Sequence, residues 1–181
     1  MNESDRAVEP ELRELFAEFP PADDLPEYEL IAAGDVPQPY HRLLVHEHHM
    51  TVTVEAHHRA PVDVHILTRR HNGNTYARKI VLTPRGSDRV VLFGIVRINL
   101  AYCSPVVREA IVEGKTPLGR ILIENDVLRR IEPTAYLRIQ PGPRQMQWFG
   151  LTAPKPMYGR LGFIHCDNKP AVELFEVVAP E

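Results

Sequence analysis

The chain has 181 residues, of which 44% are hydrophobic and 25% are charged, and its formal net charge at pH 7 is -3. This length and composition are typical of one soluble globular domain, and they exclude a wholly disordered chain. A slightly negative chain lacks the overall basic character of a nucleic-acid-binding protein, so we expect no nucleic-acid partner.

Neither a targeting segment nor a membrane span is predicted. Residues 1–10 are acidic and contain no apolar core, which argues against a signal peptide. No apolar run approaches the roughly 18–20 residues that a membrane span needs. The two cysteines, Cys103 and Cys166, lie far apart in the sequence, which is typical of reduced thiols in a cytoplasmic protein. We therefore expect a cytoplasmic protein with no membrane partner.

The first 39 residues are predicted to form an N-terminal extension with one short helix at residues 10–19. Leu12, Leu15, Phe16 and Phe19 have the spacing of one helical face, and several prolines follow them. We expect the main domain to begin at residue 40 and to continue to residue 181.

Within this main domain, alternating apolar residues and turn signals predict a series of strands. Asn72-Gly73 is a strong signal for a hairpin turn, and Gly94 is a candidate bulge. The strands are predicted at residues 50–55, 62–67, 75–82, 90–100, 136–139, 159–166 and 171–178.

Helical segments interrupt these strands. Residues 105–113 are predicted to be a helix that Ser104 caps and Gly114 ends. Residues 118–130 are predicted to be helical in part, and residues 140–156, which are rich in Pro, Gly and Gln, to form a loop or flap. Strands joined by hairpin turns and interrupted by helices predict an antiparallel α+β fold.

Histidine is concentrated in one part of the chain, since six of the nine histidines lie within residues 46–65. In a strand, His46 and His48 would share one face at a spacing that a metal ion can use. However, no cysteine or paired acidic residue joins them at a recognised spacing. We therefore prefer a polar, solvent-facing segment and expect no metal.

Arg78 lies inside an apolar predicted strand. Strand alternation sends Tyr76, Arg78 and Ile80 to one face and Lys79 to the other, so Arg78 points inward if Lys79 faces water. A buried guanidinium needs an anion, which is either a carboxylate of the protein or a carboxylate of a ligand. The structural pair is the commoner case, and the sequence leaves both open.

Two carboxylates and one turn complete the set of candidate groups. Glu173 and Glu176 are three residues apart in the last predicted strand and therefore face opposite sides, so that one can be buried. A buried carboxyl can act as an acid or form a hydrogen bond with a phenol, although a salt bridge on the strand face is commoner. Pro117-Leu118-Gly119 forms a turn into a helix, where backbone N–H groups can bind an anion.

Taken in order, short motifs along residues 40–181 resemble those of the chorismate lyase family. The pattern is closer to the divergent actinobacterial and archaeal branch of that family than to the enterobacterial branch. The matching motifs are Leu43-Leu44, Met50-Thr51 with Glu55, Tyr76-Ala77-Arg78, Pro117-Leu118-Gly119-Arg120, Tyr158-Gly159-Arg160, Asn168-Lys169-Pro170, and Glu176 four residues before Pro180.

The resemblance implies a single antiparallel sheet with helices packed on one face and an internal, closed ligand cavity. It also implies a chorismate pyruvate-lyase, a carbon–oxygen lyase that eliminates pyruvate from chorismate and leaves 4-hydroxybenzoate without a cofactor. Arg78 would bind the carboxylate, and the backbone N–H groups of Met50 and Leu118 would share it. Glu176 would lie at the opposite end, near the ether oxygen. Glu173 is the alternative, because the preceding segment is one residue longer than in the enterobacterial branch.

Two other functions stay open. The same fold occurs as the effector-sensing domain of bacterial transcription regulators, so the first alternative is a non-catalytic protein that binds a small aromatic acid. Residues 1–39 are too short and too acidic for the winged helix-turn-helix that precedes such domains. The second alternative is a relative that acts on another cyclic substrate in secondary metabolism. Each of these functions has a small molecule as its partner.

Overall fold

The computed structural model of the chain describes residues 11–20 and 25–181. Its seven strands form one antiparallel sheet in the order β1-β5-β6-β7-β4-β3-β2. The predicted α+β architecture with a single antiparallel sheet is therefore confirmed. The strands are β1 (Glu27–Ile31), β2 (Val62–Asn72), β3 (Thr75–Pro84), β4 (Leu92–Asn99), β5 (Arg129–Gln140), β6 (Met157–Cys166) and β7 (Lys169–Val178).

Helices cover both faces of this sheet. One face is covered by α2, α3, α4 and α5, and the opposite face by α1 and α6. We expected helices on one face only, so α1 and α6 form a second helical layer that was not predicted. None of the described helices is both long and apolar enough to cross a membrane. The helices are α1 (residues 11–17), α2 (Tyr40–Leu44), α3 (Met50–His58), α4 (Pro105–Glu113), α5 (Leu118–Glu124) and α6 (Pro143–Phe149).

The predicted N-terminal extension contributes to the sheet and its packing. The predicted helix is present over residues 11–17, while Pro10 lies outside the described residues. All four predicted apolar side chains, from Leu12 to Phe19, are at most 6% exposed. In addition, β1 pairs antiparallel with β5 and forms one edge of the sheet. The described part of the segment before residue 40 is thus packed against the domain and supplies one of the seven described strands.

The predicted strand at residues 50–55 is wrong, because these residues form the first part of α3. Alternating Thr and Val favour a strand, but this preference is weak beside tertiary packing. Met50, Thr51 and Val54 are buried at helical spacing, whereas Val52 is 43% exposed. This buried face packs against α2, α5 and β2, and the burial outweighs the local preference for a strand.

Most of the remaining strand predictions are confirmed, although β2 runs five residues beyond its predicted end at residue 67. The Asn72-Gly73 turn joins β2 to β3, and Gly73 has φ 58°, which a glycine adopts without strain. The bulge predicted at Gly94 is wrong, since Gly94 pairs in continuous register with Ile80 and Glu176. β5 is longer than the predicted strand at residues 136–139, and the predicted loop at residues 140–156 contains α6.

The caps of α4 agree with the sequence prediction. The hydroxyl of Ser104 accepts a hydrogen bond from the backbone N–H of Val107, and Gly114 ends the helix with φ 77°. Residues 118–130, predicted to be helical in part, are helical over residues 118–124. The turn before α5 places the first residues of α5 beside the first residues of α3.

Candidate functional site

A cavity lies between the sheet and the N-terminal ends of α3 and α5. Its floor includes the inward-facing side chains of Ile80, Val96 and Leu174 from β3, β4 and β7. The centre of a water-sized sphere can occupy about 50 Å³ of it, several times the ~10–15 Å³ that a single water needs. The cavity is therefore an apolar chamber that can hold more than a single water.

Arg78 of β3 lines this cavity and is 1% exposed. Neither Nε nor Nη1 has a hydrogen-bond partner among the described residues. Burial lowers the pKa of the Arg78 guanidinium, and the neighbouring Tyr76 hydroxyl offsets part of this effect. No carboxylate of the described residues is ion-paired with Arg78, so its unused N–H groups are available for an anion from outside the protein.

Lys79 does not face water, which was the premise for an inward-pointing Arg78. Lys79 is 4% exposed on the opposite face of the sheet, where its Nζ lies 5.6 Å and 5.2 Å from the ring centres of Phe16 and Phe19. The two side chains still point to opposite faces, as strand alternation requires. Lys79 is buried because α1 packs over this part of the sheet.

Arg160 of β6 is the second buried arginine of the cavity, and its side chain is bonded to the protein itself. Its Nε donates to Oε2 of Glu176 at 2.8 Å. Its Nη1 donates to the carbonyl oxygens of Leu44 and His46 at 3.2 Å and 2.9 Å, and its Nη2 to that of His48 at 3.4 Å. Arg160 thereby fixes the segment between α2 and α3 against the sheet.

The close approach of β6 and β7 brings Arg160 beside Glu176. These two residues are directly opposite in the strand register. A Cβ at the neighbouring Gly159 would lie 2.6 Å from the backbone oxygen of Glu176, so any larger residue would force the strands to shift. The motif Tyr158-Gly159-Arg160 thus has a structural reason, which is the placement of a guanidinium against the carboxylate.

The two candidate glutamates lie on opposite faces of the sheet. Glu176 lines the cavity, and because Arg160 donates to it, its carboxylate is arranged as a hydrogen-bond acceptor. Glu173, the alternative, is on the other face, where Arg97 donates to it at 2.7 Å and also contacts Glu14 of α1 and Glu18, which directly follows α1. Glu173 therefore has no access to the cavity.

The first residues of α3 and α5 form the roof of the cavity and include both backbone positions expected from the resemblance, Met50 and Leu118. No side chain caps either helix. The first hydrogen bonds within the helices are those donated by Thr53 and Arg120, which leaves the N–H groups of Met50 and Leu118 unused by the helices. Unused N–H groups at a helix start favour an anion nearby.

An ion pair between Arg120 and Glu55 ties α5 to α3. Glu55 also accepts a hydrogen bond from the backbone N–H of Val62 at 3.2 Å. These two motif residues therefore hold the roof together, and neither of them lines the cavity.

His49 is a residue of the cavity that the sequence prediction missed. It is 7% exposed, and its Nε2 is buried without a hydrogen-bond partner among the described residues. Burial lowers its pKa to about 4, with further contributions from Arg129 and Arg160, so the ring is neutral at pH 7. The position was interpreted as polar surface because the start of α3 was not recognised.

Of the other histidines of this region, His46 and His48 do not lie on a strand, whereas His65 lies on β2. His46 and His48 lie between α2 and α3, where the ring of His46 bridges the carbonyl oxygen of Leu43 at 2.7 Å and the backbone N–H of His48 at 3.1 Å. His65 contacts the hydroxyl of Thr83 at 2.8 Å. Among residues 11–20 and 25–181, no three His, Cys, Asp or Glu side chains are grouped as a metal site requires.

The buried histidines predict a loss of stability in mild acid. The unfolded state binds protons more readily than the native state, because burial lowers the pKa of both His46 and His49 from 6.5 to about 4. The stability that depends on these two histidines being neutral is therefore fully present above pH 6.5. It is lost as the pH falls towards 4. For His49 the loss is at most about 3 kcal/mol.

Urea unfolding at pH 7 and pH 4.5 tests this expectation. The variant His49→Gln cannot titrate, so it should lose less stability between the two pH values than the wild type. Equal losses in the two proteins would contradict the expected role of His49.

Comparison with known proteins identifies the fold. No protein-family model and no curated protein matches the chain. The effector domain of PhnF from Mycobacterium smegmatis matches with a TM-score of 0.52 at 14% identity, over 73% of this chain and 88% of that domain. A second structure of PhnF matches with a TM-score of 0.53 at 14% identity, over 96% of this chain and 80% of that chain.

A third structure is a domain assigned as the ligand-binding part of a GntR-family transcriptional regulator from Bordetella bronchiseptica. It has a TM-score of 0.49 and 12% identity, over 65% of this chain and 85% of that domain. The PhnF matches show a shared fold, and the expected chorismate lyase-like fold is confirmed. Membership of the chorismate lyase family is not confirmed by these comparisons.

Proposed function

We propose that this protein binds a small cyclic carboxylic acid in the cavity, and that the acid is chorismate, from which the protein eliminates pyruvate to leave 4-hydroxybenzoate. The observation that supports this most directly is Arg78. Its guanidinium is 1% exposed, and its Nε and Nη1 have no partner in the described part of the chain. A buried charge is costly unless an anion compensates it, and the carboxylate of a ligand would do so.

The rest of the lining suits a ring with a second polar group. Ile80, Val96 and Leu174 offer apolar contacts for a ring. Glu176 offers a carboxylate that accepts hydrogen bonds, as the hydroxyl of such a ring requires. Four of the five N–H donors of Arg160 are used by the protein, whereas Nε and Nη1 of Arg78 have no partner among the described residues. Arg78 is therefore the arginine that would bind the ligand carboxylate.

The proposed reaction is an elimination with no change in overall oxidation state. The bond between the ring carbon and the ether oxygen of the enolpyruvyl group breaks, and the electron pair leaves with that oxygen. The ring carbon that bears the hydroxyl loses its proton, and the ring becomes aromatic. The released enol takes up a proton and becomes pyruvate. In this scheme Arg78 orients the acid and Glu176 accepts the ring proton, so the reaction consumes no cofactor.

Product analysis with matched glutamate variants tests this activity. The EDTA-treated wild type is expected to convert chorismate to equimolar 4-hydroxybenzoate and pyruvate, measured by chromatography against a protein-free control. Glu176→Gln should reduce the rate by about 10²–10⁴-fold, as expected for loss of a general base. Glu173→Gln, on the opposite face, should retain the rate. No product above the control, or equal rates in the two variants, would contradict the proposed reaction.

A non-catalytic sensor of a small aromatic acid is the second candidate. The fold match to PhnF supports it, since the matching domain of PhnF is named an effector domain. Binding of 4-hydroxybenzoate that depends on Arg78, together with no turnover of chorismate, would favour the sensor. Turnover of a different cyclic acid would favour the other alternative, an enzyme of the same fold that acts on another cyclic substrate in secondary metabolism.

A further inference from the structure

The cavity contains a buried polar atom for which the proposed reaction has no role, Nε2 of His49. This atom and the unused N–H groups of Arg78 come from different elements, the N-cap of α3 and the middle of β3, and both residues line the same cavity. Buried polar atoms without a partner are rare in native proteins, because each one lowers the stability of the fold. Two such residues in one chamber indicate that its ligand supplies the missing partners.

The imidazole of His49 is held in place by the roof of the cavity. A Cβ added at Gly119 would lie 3.1 Å and 3.2 Å from Cβ and Cγ of His49, and 3.0 Å from Oγ1 of Thr51. The side chain is therefore packed against the first turn of α5, where a residue larger than glycine would push it by a few tenths of an ångström. A polar group held in this way is already oriented for a ligand.

His49 also lies between the cavity and a groove on the surface. The lining of this groove includes His49 together with Val52, Leu128, Arg129 and Arg130. A ligand group that contacts His49 would therefore lie at the end of the cavity that faces this groove.

A neutral imidazole restricts the chemistry of that group. One ring nitrogen donates a hydrogen bond and the other accepts one, depending on the tautomer. A hydroxyl fits either tautomer because it both donates and accepts, whereas an ether oxygen fits only one. A second carboxylate would find no positive charge on His49, since burial lowers the pKa of the ring to about 4.

We infer that His49 is a second partner, beside Glu176, for the ring hydroxyl of the proposed ligand, and that it selects for acids that carry this hydroxyl. This inference rests on the proposed carboxylic acid site at Arg78. It adds a specificity-determining residue to that site.

Calorimetric titration of the full chain with benzoate, 3-hydroxybenzoate and 4-hydroxybenzoate tests the inference. The wild type should bind at least one hydroxybenzoate more tightly than benzoate. In His49→Leu this preference should fall by about tenfold, the size of one lost hydrogen bond with a buried partner. The affinity of His49→Leu for benzoate should stay within about twofold of the wild type, and His49→Gln should retain part of the preference.

Two controls separate ligand binding from a structural role. Thr83→Val removes a buried polar side chain that does not line the cavity and should retain the preference. The melting temperature of His49→Leu should not fall, since the variant removes a buried polar atom that has no partner. A histidine that only holds the roof in place would instead lower the melting temperature and weaken all three acids alike, and this result would overturn the inference.

The remaining outcomes distinguish this inference from the proposed function. Binding of benzoate that depends on Arg78, with a hydroxyl preference that is absent or unchanged in His49→Leu, would overturn the inference alone. Loss of the preference in Thr83→Val but not in His49→Leu would also overturn the inference alone. No binding of any of the three acids to the wild type would overturn both the carboxylic acid site and the inference.

Discussion

Replacement of Arg160 by methionine is expected to lower the free energy of unfolding by about 3–5 kcal/mol, the usual cost of removing one partner from a buried ion pair. Arg160 is 1% exposed and donates to Glu176 and to three backbone carbonyl oxygens. Methionine fills a similar volume but donates nothing, so the carboxylate would be left without its counter-ion inside an apolar cavity. Since most domains are stable by only about 5–15 kcal/mol, this is a large fraction of the total.

Urea unfolding at pH 7 measures this loss, with Arg85→Met as the matched control. Arg85 contacts Asp63 at 3.3 Å, but both side chains are exposed, so the control should change stability by less than about 1 kcal/mol. Similar losses in the two variants would show that Arg160 does not have the structural role assigned to it. Arg160→Met should also release the segment between α2 and α3, which hydrogen exchange would detect as faster exchange there than in the control.

Replacement of Arg78 by methionine is expected to have the opposite effect on stability. In the absence of ligand, the guanidinium is buried and its Nε and Nη1 have no partner in the described part of the chain. Its removal should therefore raise the free energy of unfolding by about 1–3 kcal/mol. The same variant should lose the binding of small carboxylic acids, because the cavity would no longer offer a cation to the carboxylate.

Comparison of the Arg78→Met and Arg160→Met variants separates the expected stabilisation from the general effect of removing a buried arginine. Urea unfolding of Arg78→Met and Arg160→Met, measured side by side without ligand, should give changes of opposite sign, although both arginines are buried to the same extent. A loss of stability in Arg78→Met comparable with that in Arg160→Met would contradict the assignment. It would mean that Arg78 forms a structural pair, the interpretation that the sequence alone favoured.

Local signals in the sequence predict the parts of this fold that depend on neighbouring residues. Ser104 and Gly114 mark the ends of α4, and Asn72-Gly73 marks the β2–β3 turn, because capping and tight turns need only a few adjacent residues. Alternation along β3 likewise predicts that Arg78 and Lys79 face opposite sides. These features require no knowledge of what packs above or below the strand.

Features that depend on distant parts of the chain could not be predicted in this way. The burial of Lys79 depends on α1, which lies more than fifty residues earlier in the sequence. The start of α3 at Met50 depends on packing against α5, which outweighs the strand preference of Thr and Val. His49 was missed for the same reason, since its role at the roof of the cavity is visible only once α3 is recognised as a helix.

The candidate site follows mainly from the motif resemblance, to which the structure adds the relations between residues. The sequence left Glu173 and Glu176 as alternatives, and only the strand register separates them, with Glu176 opposite Arg160 and Glu173 opposite Arg97. In the sequence, Arg160 is only one residue of a short motif and has no evident role. Its hydrogen bonds to Glu176 and to the backbone explain why that position needs an arginine.

Calorimetric titration of 4-hydroxybenzoate into the wild type and Arg78→Met tests the central claim most directly, which is that the cavity binds a small acid through Arg78. We predict one molecule bound per chain in the wild type and an affinity weaker by at least about 100-fold in the variant, as expected for the loss of charge-assisted hydrogen bonds to a carboxylate. Equal affinity in the two proteins, or no binding to the wild type, would contradict the claim.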